Sequence, residues 1–183
     1  MKQIKLTHIL GVLILLAVLA YAFNTPKVSD SVPVSVAPVE AETPVDNRIQ
    51  DVQDLAKANG FNPSMRIVKA ILTASDQYGI DAMQLTAIGI IETGLGKYAV
   101  TRKNSNGTHD RGVFQINTVN APKCVEYNLD SPEGSALCAA KLLSEIKAKR
   151  KDYLGVYHSK THSKKVAYMQ KVSQVLASTS DKE

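Results

Sequence analysis

Cysteine and tryptophan are the residues that this 183-residue chain has least of, since it contains two cysteines and no tryptophan. Two cysteines cannot build the framework of several disulfides that holds small secreted proteins together, and by themselves they do not indicate a zinc site. The chain also has no internal repeat and no glycine-rich phosphate loop, so neither a repeat architecture nor a nucleotide cofactor is indicated. Its length suits one globular domain behind a targeting segment.

Residues 1–23 have the order of features found in a secretory signal. Lys2 and Lys5 precede an uncharged apolar run over residues 9–23, which contains the small-x-small sequence Ala-Tyr-Ala near its end. An uncleaved membrane anchor is the alternative, although a span needs about 20 apolar residues and this run falls slightly short. Both interpretations predict export, to the periplasm or to the periplasmic face of the inner membrane.

The region after the apolar run divides into a linker, a domain and a tail. Residues 24–46 are rich in Pro, Val, Ser, Thr and acidic residues, and the repeated prolines block helix formation, which predicts a poorly ordered linker. Residues 47–179 are expected to form a single, mainly helical domain, and residues 180–183 a short tail.

Apolar residues at helical spacing predict several helices within that domain. One is expected to begin at Asn62-Pro63 and to stop at Gly79, and the next to be capped by Asp81. Ser131-Pro132 opens a third, and a last one covers about residues 163–176. The polar stretch 99–117 is expected to be a loop or a short hairpin.

Cys124 and Cys138 are candidates for a disulfide, because an exported compartment permits one. Closing so short a loop would stabilise the fold by about 3 kcal/mol in the chain-entropy model. Two buried free thiols are the alternative that the sequence leaves open.

The helix from Asp81 to Glu92 carries the functional hypothesis. It is apolar nearly all round, which predicts burial in the core, and Glu92 lies on the same face as Leu85 and Ile88. Burial disfavours the charged form of a carboxyl group, and a carboxylic acid that keeps its proton can protonate a leaving oxygen. The alternative is a glutamate at a helix end in solvent, with the following glycines serving only to end the helix.

Several motifs in order resemble those of the goose-type-lysozyme-like lytic transglycosylases, over about residues 67–176. The closest likeness is to the small exported branch that accompanies secretion, pilus and conjugation machines. Those enzymes have a Glu-Ser pair that ends an apolar helix, an Asn-Gly turn and a Gly-Leu-Met-Gln-Ile-Asn run. A Tyr-Asn-Ala/Ser-Gly motif and a tyrosine in the last helix follow. The corresponding residues here are Glu92-Thr93, Asn106-Gly107, the run Gly-Val-Phe-Gln-Ile-Asn at 112–117, Tyr157-His158-Ser159-Lys160, and Tyr168.

The resemblance implies a lysozyme-like fold, with Glu92 as the catalytic acid. The substrate-binding residues that it implies are Thr93, Gln115, Asn117, Tyr157 and Tyr168. His158 and Lys160 depart from the family's asparagine and glycine, which puts in doubt the binding of the sugar next to the broken bond. His158 and His162 have a zinc-like spacing, but no third ligand is in view, and no metal is expected.

The implied reaction cleaves peptidoglycan glycan strands between N-acetylmuramic acid and N-acetylglucosamine and closes a 1,6-anhydro ring, with no cofactor. Asp110 is the best candidate for a second carboxylate, although its loop position favours a simple turn role. If Asp110 faced Glu92 across a cleft, hydrolysis, as in lysozymes, would become plausible. A third hypothesis is a wall-binding adaptor of a secretion or conjugation machine that has no activity.

The C-terminal part of the chain is basic. Residues 141–171 contain nine lysines and arginines against two acidic residues. A solvated helix face explains this pattern, and attraction to anionic wall polymers or lipid headgroups is the functional alternative. Nucleic acid is not an expected partner, because the chain is predicted to be exported and aromatic residues do not alternate with the basic ones.

Overall fold

The structure, a computed structural model, describes residues 46–98 and 101–179. Contacts along the chain separate Met1–Thr43 from Pro44–Glu183, and the description below concerns the second unit. The predicted signal or anchor, nearly all of the predicted linker and the tail at 180–183 lie outside the described residues. Within the described ranges, no helix is long and apolar enough to cross a membrane.

Six α-helices and a small antiparallel sheet form the described part of the chain. The helices are α1 (Asn47–Ala58), α2 (Met65–Tyr78), α3 (Ala82–Thr93), α4 (Pro132–Lys147), α5 (Tyr153–His158) and α6 (His162–Ala177). The strands are β1 (Thr101–Lys103), β2 (His109–Arg111) and β3 (Ile116–Asn117), and a 3-10 turn covers Ala121–Cys124.

Local signals in the sequence determine where most helices begin and end. The Asp81 carboxylate accepts a hydrogen bond from the backbone N–H of Gln84 at 2.9 Å, which caps α3. Ser131 caps α4, with Pro132 in its first turn, as predicted. Helix α2 stops at Gly79, also as predicted. It begins at Met65, two residues later than the Asn62-Pro63 prediction, because the carbonyl of Ser64 is the first to accept helical hydrogen bonds.

Helix α3 lies at the centre of the domain. It contacts α1, α2, α4 and α6, and most of its side chains are buried, including Leu85 and Ile88. A helix that is apolar nearly all round can keep its side chains away from water only if other elements pack on every side of it. The prediction that this segment is buried is confirmed.

The polar stretch at 99–117 was expected to be a loop or a short hairpin, and its described part, residues 101–117, forms more than a single hairpin. Strand β2 pairs with both β1 and β3, which gives a three-stranded antiparallel sheet in the order β1-β2-β3. Asp110 of β2 lies directly opposite Arg102 of β1 and Asn117 of β3. Residues in directly opposed positions put their side chains on the same face, so these three form one row across the sheet.

Cys124 and Cys138 form a disulfide, with their Cα atoms 5.6 Å apart. It joins the 3-10 turn to α4, and both cysteines belong to the buried core. The bridge therefore closes the segment that returns from the sheet to the helices. For a loop of this length it stabilises the fold by about 3 kcal/mol.

Gly112 provides a test of the packing between the loop after β2 and α4. Its φ is +74°, and a Cβ at this position would overlap the carbonyl oxygen of Leu129 and the side chain of Ser135. We expect Gly112→Ala to lower the free energy of unfolding by about 3 kcal/mol, from backbone strain and overpacking together. Urea denaturation followed by circular dichroism measures this change.

Gly107→Ala is the matched control for that experiment. Gly107 also has a positive φ, +82°, but a Cβ there would meet nothing within 4 Å. This variant should lose only about 1 kcal/mol, the cost of the backbone conformation. Equal losses in the two variants would show that the loop is not packed against α4 as described.

Candidate active site

Glu92 lies in the last turn of α3, at the place where this apolar helix reaches the surface. Its side chain is 16% exposed, while Leu85 and Ile88 on the same face are fully buried. Gly94 ends the helix in the left-handed conformation two residues later. The carboxyl group is therefore held at the boundary between the core and solvent, where a ligand can reach it.

Tyr168 of α6 holds this carboxyl group. Its hydroxyl donates a hydrogen bond of 2.8 Å to Oε1 of Glu92. Burial raises the pKa of Tyr168 above its ordinary value, and the neighbouring negative charge of Glu92 raises it further, so the hydroxyl keeps its proton and remains a donor. Tyr168 was predicted to bind the glycan, but it is 2% exposed. Burial assigns it the role of positioning Glu92 instead.

His158 of α5 lies close to the same carboxylate oxygen. Its Nδ1 is 3.7 Å from Oε1 of Glu92, and its side chain is 42% exposed. The imidazole stacks on the Tyr168 ring, with 4.3 Å between ring centroids and 8° between planes. In the sequence, His158 stood out as a departure from a sugar-binding motif and for its zinc-like spacing to His162. No spacing between α3 and α5 pointed to a contact with Glu92.

Thr93 has a different role from the one predicted. It is 1% exposed, and its hydroxyl donates to the carbonyl of Val113 at 2.7 Å and accepts from the N–H of Gly96 at 3.0 Å. A buried hydroxyl with these two partners cannot reach a glycan. Thr93 instead attaches the end of α3 to the loop before β3.

A groove of about 180 Å³ opens in front of Glu92. Because this is smaller than the ~300–1,000 Å³ of enclosed ligand pockets, the groove would hold part of a chain and not a whole small molecule. We call it the glutamate groove, and its lining residues are Glu92, Arg102, Asp110, Gln115, Ile116, Asn117, Asn120, Leu142, Tyr157 and His158. Of the predicted site residues, it brings together Glu92, Gln115, Asn117 and Tyr157.

Gln115, which lines the glutamate groove, has an unusual backbone conformation. Its φ is +49°, in the left-handed region that residues with a Cβ rarely adopt. Its Nε2 donates to the carbonyl of Gly112 at 3.0 Å. Such a conformation costs of order 1–3 kcal/mol and is found most often where a binding site requires it.

Tyr157 fixes the loop that carries Gln115. Its hydroxyl donates to the carbonyl of Phe114 at 2.8 Å. Burial raises the pKa of Tyr157 well above its ordinary value, and the negative charges of Glu92 and Asp110 add to that effect. The hydroxyl therefore stays protonated, and Tyr157 is also one of the residues that line the groove.

Asp110 lies on a strand and lines the groove, and is not confined to a turn. Its Oδ1 accepts from Nδ2 of Asn117 at 2.7 Å, and its Oδ2 accepts from Nδ2 of Asn104 at 3.0 Å. The Asn117 amide is therefore oriented by Asp110. The sequence favoured a turn role for Asp110. Its place in the groove depends on the pairing of β2 with β3, which the local sequence does not reveal.

The described residues contain no group of three or more His, Cys, Asp and Glu side chains placed to hold a metal ion. The groove offers a carboxyl group with a hydroxyl donor, an imidazole, a second carboxylate and several amides. This set suits proton transfer to and from a bound ligand.

The chain is similar to a known protein family over most of its described part. Residues 69–170, more than half of the chain, match the family model described as the transglycosylase SLT domain. The chain belongs to this family. The matched range includes Glu92 and every groove residue named above, and family membership confirms the lysozyme-like, mainly helical fold predicted from the sequence.

A relative of this SLT domain is Protein IpgF of Shigella sonnei, which is 33% identical over 101 residues. The match covers 50% of this chain and 66% of that protein, so the chain spans slightly less than two thirds of its relative's length. We found no significant match to a solved structure.

Replacing Tyr168 with phenylalanine tests whether its hydroxyl positions Glu92. Removing one hydrogen bond to a charged group costs about 1.5–3 kcal/mol, so any reaction that depends on the Glu92 carboxyl group should slow about ten-fold or more. The sacculus assay described under Proposed function measures this rate.

Tyr153→Phe is the control, because the Tyr153 hydroxyl donates to Gln84 outside the groove. This variant should keep its activity. Similar losses in both variants would mean that general destabilisation, and not the contact with Glu92, lowers the rate.

Proposed function

We propose that this SLT domain is a peptidoglycan lytic transglycosylase that cleaves the β-1,4 bond between N-acetylmuramic acid and N-acetylglucosamine, with Glu92 as its catalytic acid and base. The observation that supports it is the position of Glu92. The carboxyl group ends a buried helix, is largely covered, and opens onto a groove lined with amides. A groove of about 180 Å³, too small to enclose a whole small molecule, suits a segment of a polymer.

The proposed reaction uses one carboxyl group twice. Protonated Glu92 gives its proton to the glycosidic oxygen, the bond from that oxygen to C1 of the muramoyl residue breaks, and positive charge develops at C1 and the ring oxygen. Ionised Glu92 then removes the proton from the muramoyl 6-hydroxyl, and that oxygen bonds to C1. The 1,6-anhydro ring is formed, the acid is restored and no water is consumed.

The groove residues support both steps. Tyr168 donates to Oε1 of Glu92 and so holds the carboxyl group in one orientation. This hydrogen bond is strongest when the carboxyl group is ionised. Gln115 and Asn117 present amides on the groove wall, where they would bind hydroxyl and N-acetyl groups of the sugars. General acid–base catalysis contributes about 10²–10⁴-fold, and positioning and charge stabilisation supply the rest.

Replacing Glu92 with glutamine tests this proposal most directly. Glutamine keeps the size of the side chain but cannot donate an acidic proton, so the release of muropeptides from sacculi should fall at least about 100-fold. Mass spectrometry of the released fragments measures both the rate and the product.

Glu145→Gln is the matched control, because Glu145 is an exposed carboxylate on α4 that pairs with Lys123. It should release fragments at the wild-type rate, and both variants should keep the wild-type melting temperature. Equal release by the wild type and Glu92→Gln would exclude the proposal. Sacculus binding by the wild type, without fragment release at any pH, would favour a wall-binding adaptor.

Hydrolysis is the second candidate reaction, and the position of Asp110 favours it. Asp110 and Glu92 line the same groove, and glycosidases that invert use two carboxyl groups ~6.5–9.5 Å apart, one as acid and one to activate water. In that reaction Asp110 would take a proton from water as the oxygen of that water bonds to C1.

Product masses and Asp110→Asn separate the two reactions. A transglycosylase gives fragments one water lighter than a hydrolase does, and Asp110→Asn should slow it less than about ten-fold, since its reaction uses no water. In a hydrolase the same change removes the base and should cost about 100-fold or more. Asp51→Asn, at an exposed position of α1, is the control in both cases.

We also propose that the protein acts outside the cytoplasm, in the periplasm or on the periplasmic face of the inner membrane. There it would open the wall locally for an envelope-spanning secretion, pilus or conjugation machine. The pattern of residues 1–23 and the resemblance to the small exported branch of the family support this role. Cell fractionation, with mass spectrometry of the N-terminus, tests export; recovery of the protein in the cytoplasm would exclude it.

A further inference from the structure

Arg102 differs from the other arginines of the described residues in its electrostatic partners. Four of the five described arginines form ion pairs with carboxylates: Arg48 with Asp46 and Asp76, Arg66 with Glu133, Arg111 with Asp130, and Arg150 with Asp152. No described carboxylate pairs with Arg102, which is also the arginine that lines the glutamate groove. Its permanent positive charge is therefore available to a ligand.

The sheet places Arg102 on the groove wall. It lies directly opposite Asp110, which lies directly opposite Asn117, and all three line the groove. Neighbouring strands are ~4.8 Å apart, so Arg102 forms the outer end of this row, about two strand spacings from Asn117. A group of the ligand that reaches Arg102 would therefore project sideways from the part of the chain that Asn117 contacts.

Asp110 is the natural partner of Arg102 by position but does not pair with it. Its two oxygens accept hydrogen bonds from the side-chain amides of Asn117 and Asn104. Each carboxylate oxygen therefore has a neutral donor, and the guanidinium of Arg102 donates no hydrogen bond to another described residue. A planar guanidinium recognises a carboxylate through two parallel hydrogen bonds, a geometry that lysine cannot reproduce.

We propose that Arg102 binds a carboxylate of the glycan ligand and so selects carboxylate-bearing peptidoglycan over neutral glycans. This inference rests on the proposed function. Peptidoglycan offers the carboxylate from two sources: the lactyl group of muramic acid, which is free where the stem peptide has been removed, and the stem peptide itself. Chains of N-acetylglucosamine alone have neither.

Binding measurements with the full chain test this inference, with Glu92→Gln present so that no ligand is cleaved. The ligands are stem-bearing glycan strands, strands stripped of peptides by an amidase, and a chitooligosaccharide. Arg102→Gln should weaken binding of at least one carboxylate-bearing ligand about ten-fold and leave chitooligosaccharide binding unchanged. Arg102→Lys should restore part of the loss, because it keeps the charge but not the planar fork.

Lys103→Gln is the matched control, since it removes one positive charge from the same exposed strand. Lys103 is the next residue along β1, so its side chain points to the opposite face of the sheet. Its loss should change binding of every ligand by less than about two-fold. In the active protein, Arg102→Gln should raise KM about ten-fold and leave kcat within about two-fold.

The pattern across ligands identifies the source of the carboxylate. Weaker binding of peptide-free strands indicates the lactyl group, and weaker binding of stem-bearing strands alone indicates the stem peptide. The inference is overturned if Arg102→Gln behaves like Lys103→Gln on all ligands, or if it weakens chitooligosaccharide binding equally. Because binding is measured without cleavage, a wild type that releases no muropeptides would refute the proposed reaction alone.

Discussion

The enclosure of α3 by four other helices is the constraint on which the rest of this structure depends. Complete burial of Leu85 and Ile88 stabilises the fold by about 1.5–3 kcal/mol each, and it leaves α3 no freedom to rotate. A carboxyl group at the end of such a helix therefore has one position. Glu92 lies where the apolar packing stops, and the groove begins at that point.

Side chains from three helices then fix the loop that forms the opposite wall of the groove. Thr93 of α3 and Tyr157 of α5 donate to the carbonyls of Val113 and Phe114, and Ser135 of α4 accepts from the N–H of Phe114. These contacts hold the loop tightly enough to maintain Gln115 at a positive φ. These three hydroxyls therefore position the groove wall and do not contact a ligand. Threonine at position 93 can take the place of the family's serine because it supplies the same hydroxyl.

Charge is distributed unevenly across the finished groove. Glu92 has the donor Tyr168 and the imidazole of His158 beside it, and Asp110 is satisfied by two amides. In the sheet register Asp110 lies between Asn117 and Arg102, and Arg102 is at the outer end of this row. A neutral sugar would contact the amides in the middle, and a substituent that carries charge would reach the edge.

The sequence by itself determined the fold class, most helix ends and the position of Glu92, because capping residues and apolar periodicity act within one or two turns of the chain. Gln115, Asn117 and Tyr157, which a resemblance in the order of motifs predicted to bind substrate, lie together in the groove. Only the tertiary structure decided the roles of Thr93 and Tyr168, since burial depends on what packs around a residue. The contact between Glu92 and Tyr168 spans 76 positions, and no local pattern describes a hydrogen bond between helices so far apart in the chain. The position of Arg102 opposite Asp110, on the groove wall, likewise depends on strand register, which is set by pairing across the sheet.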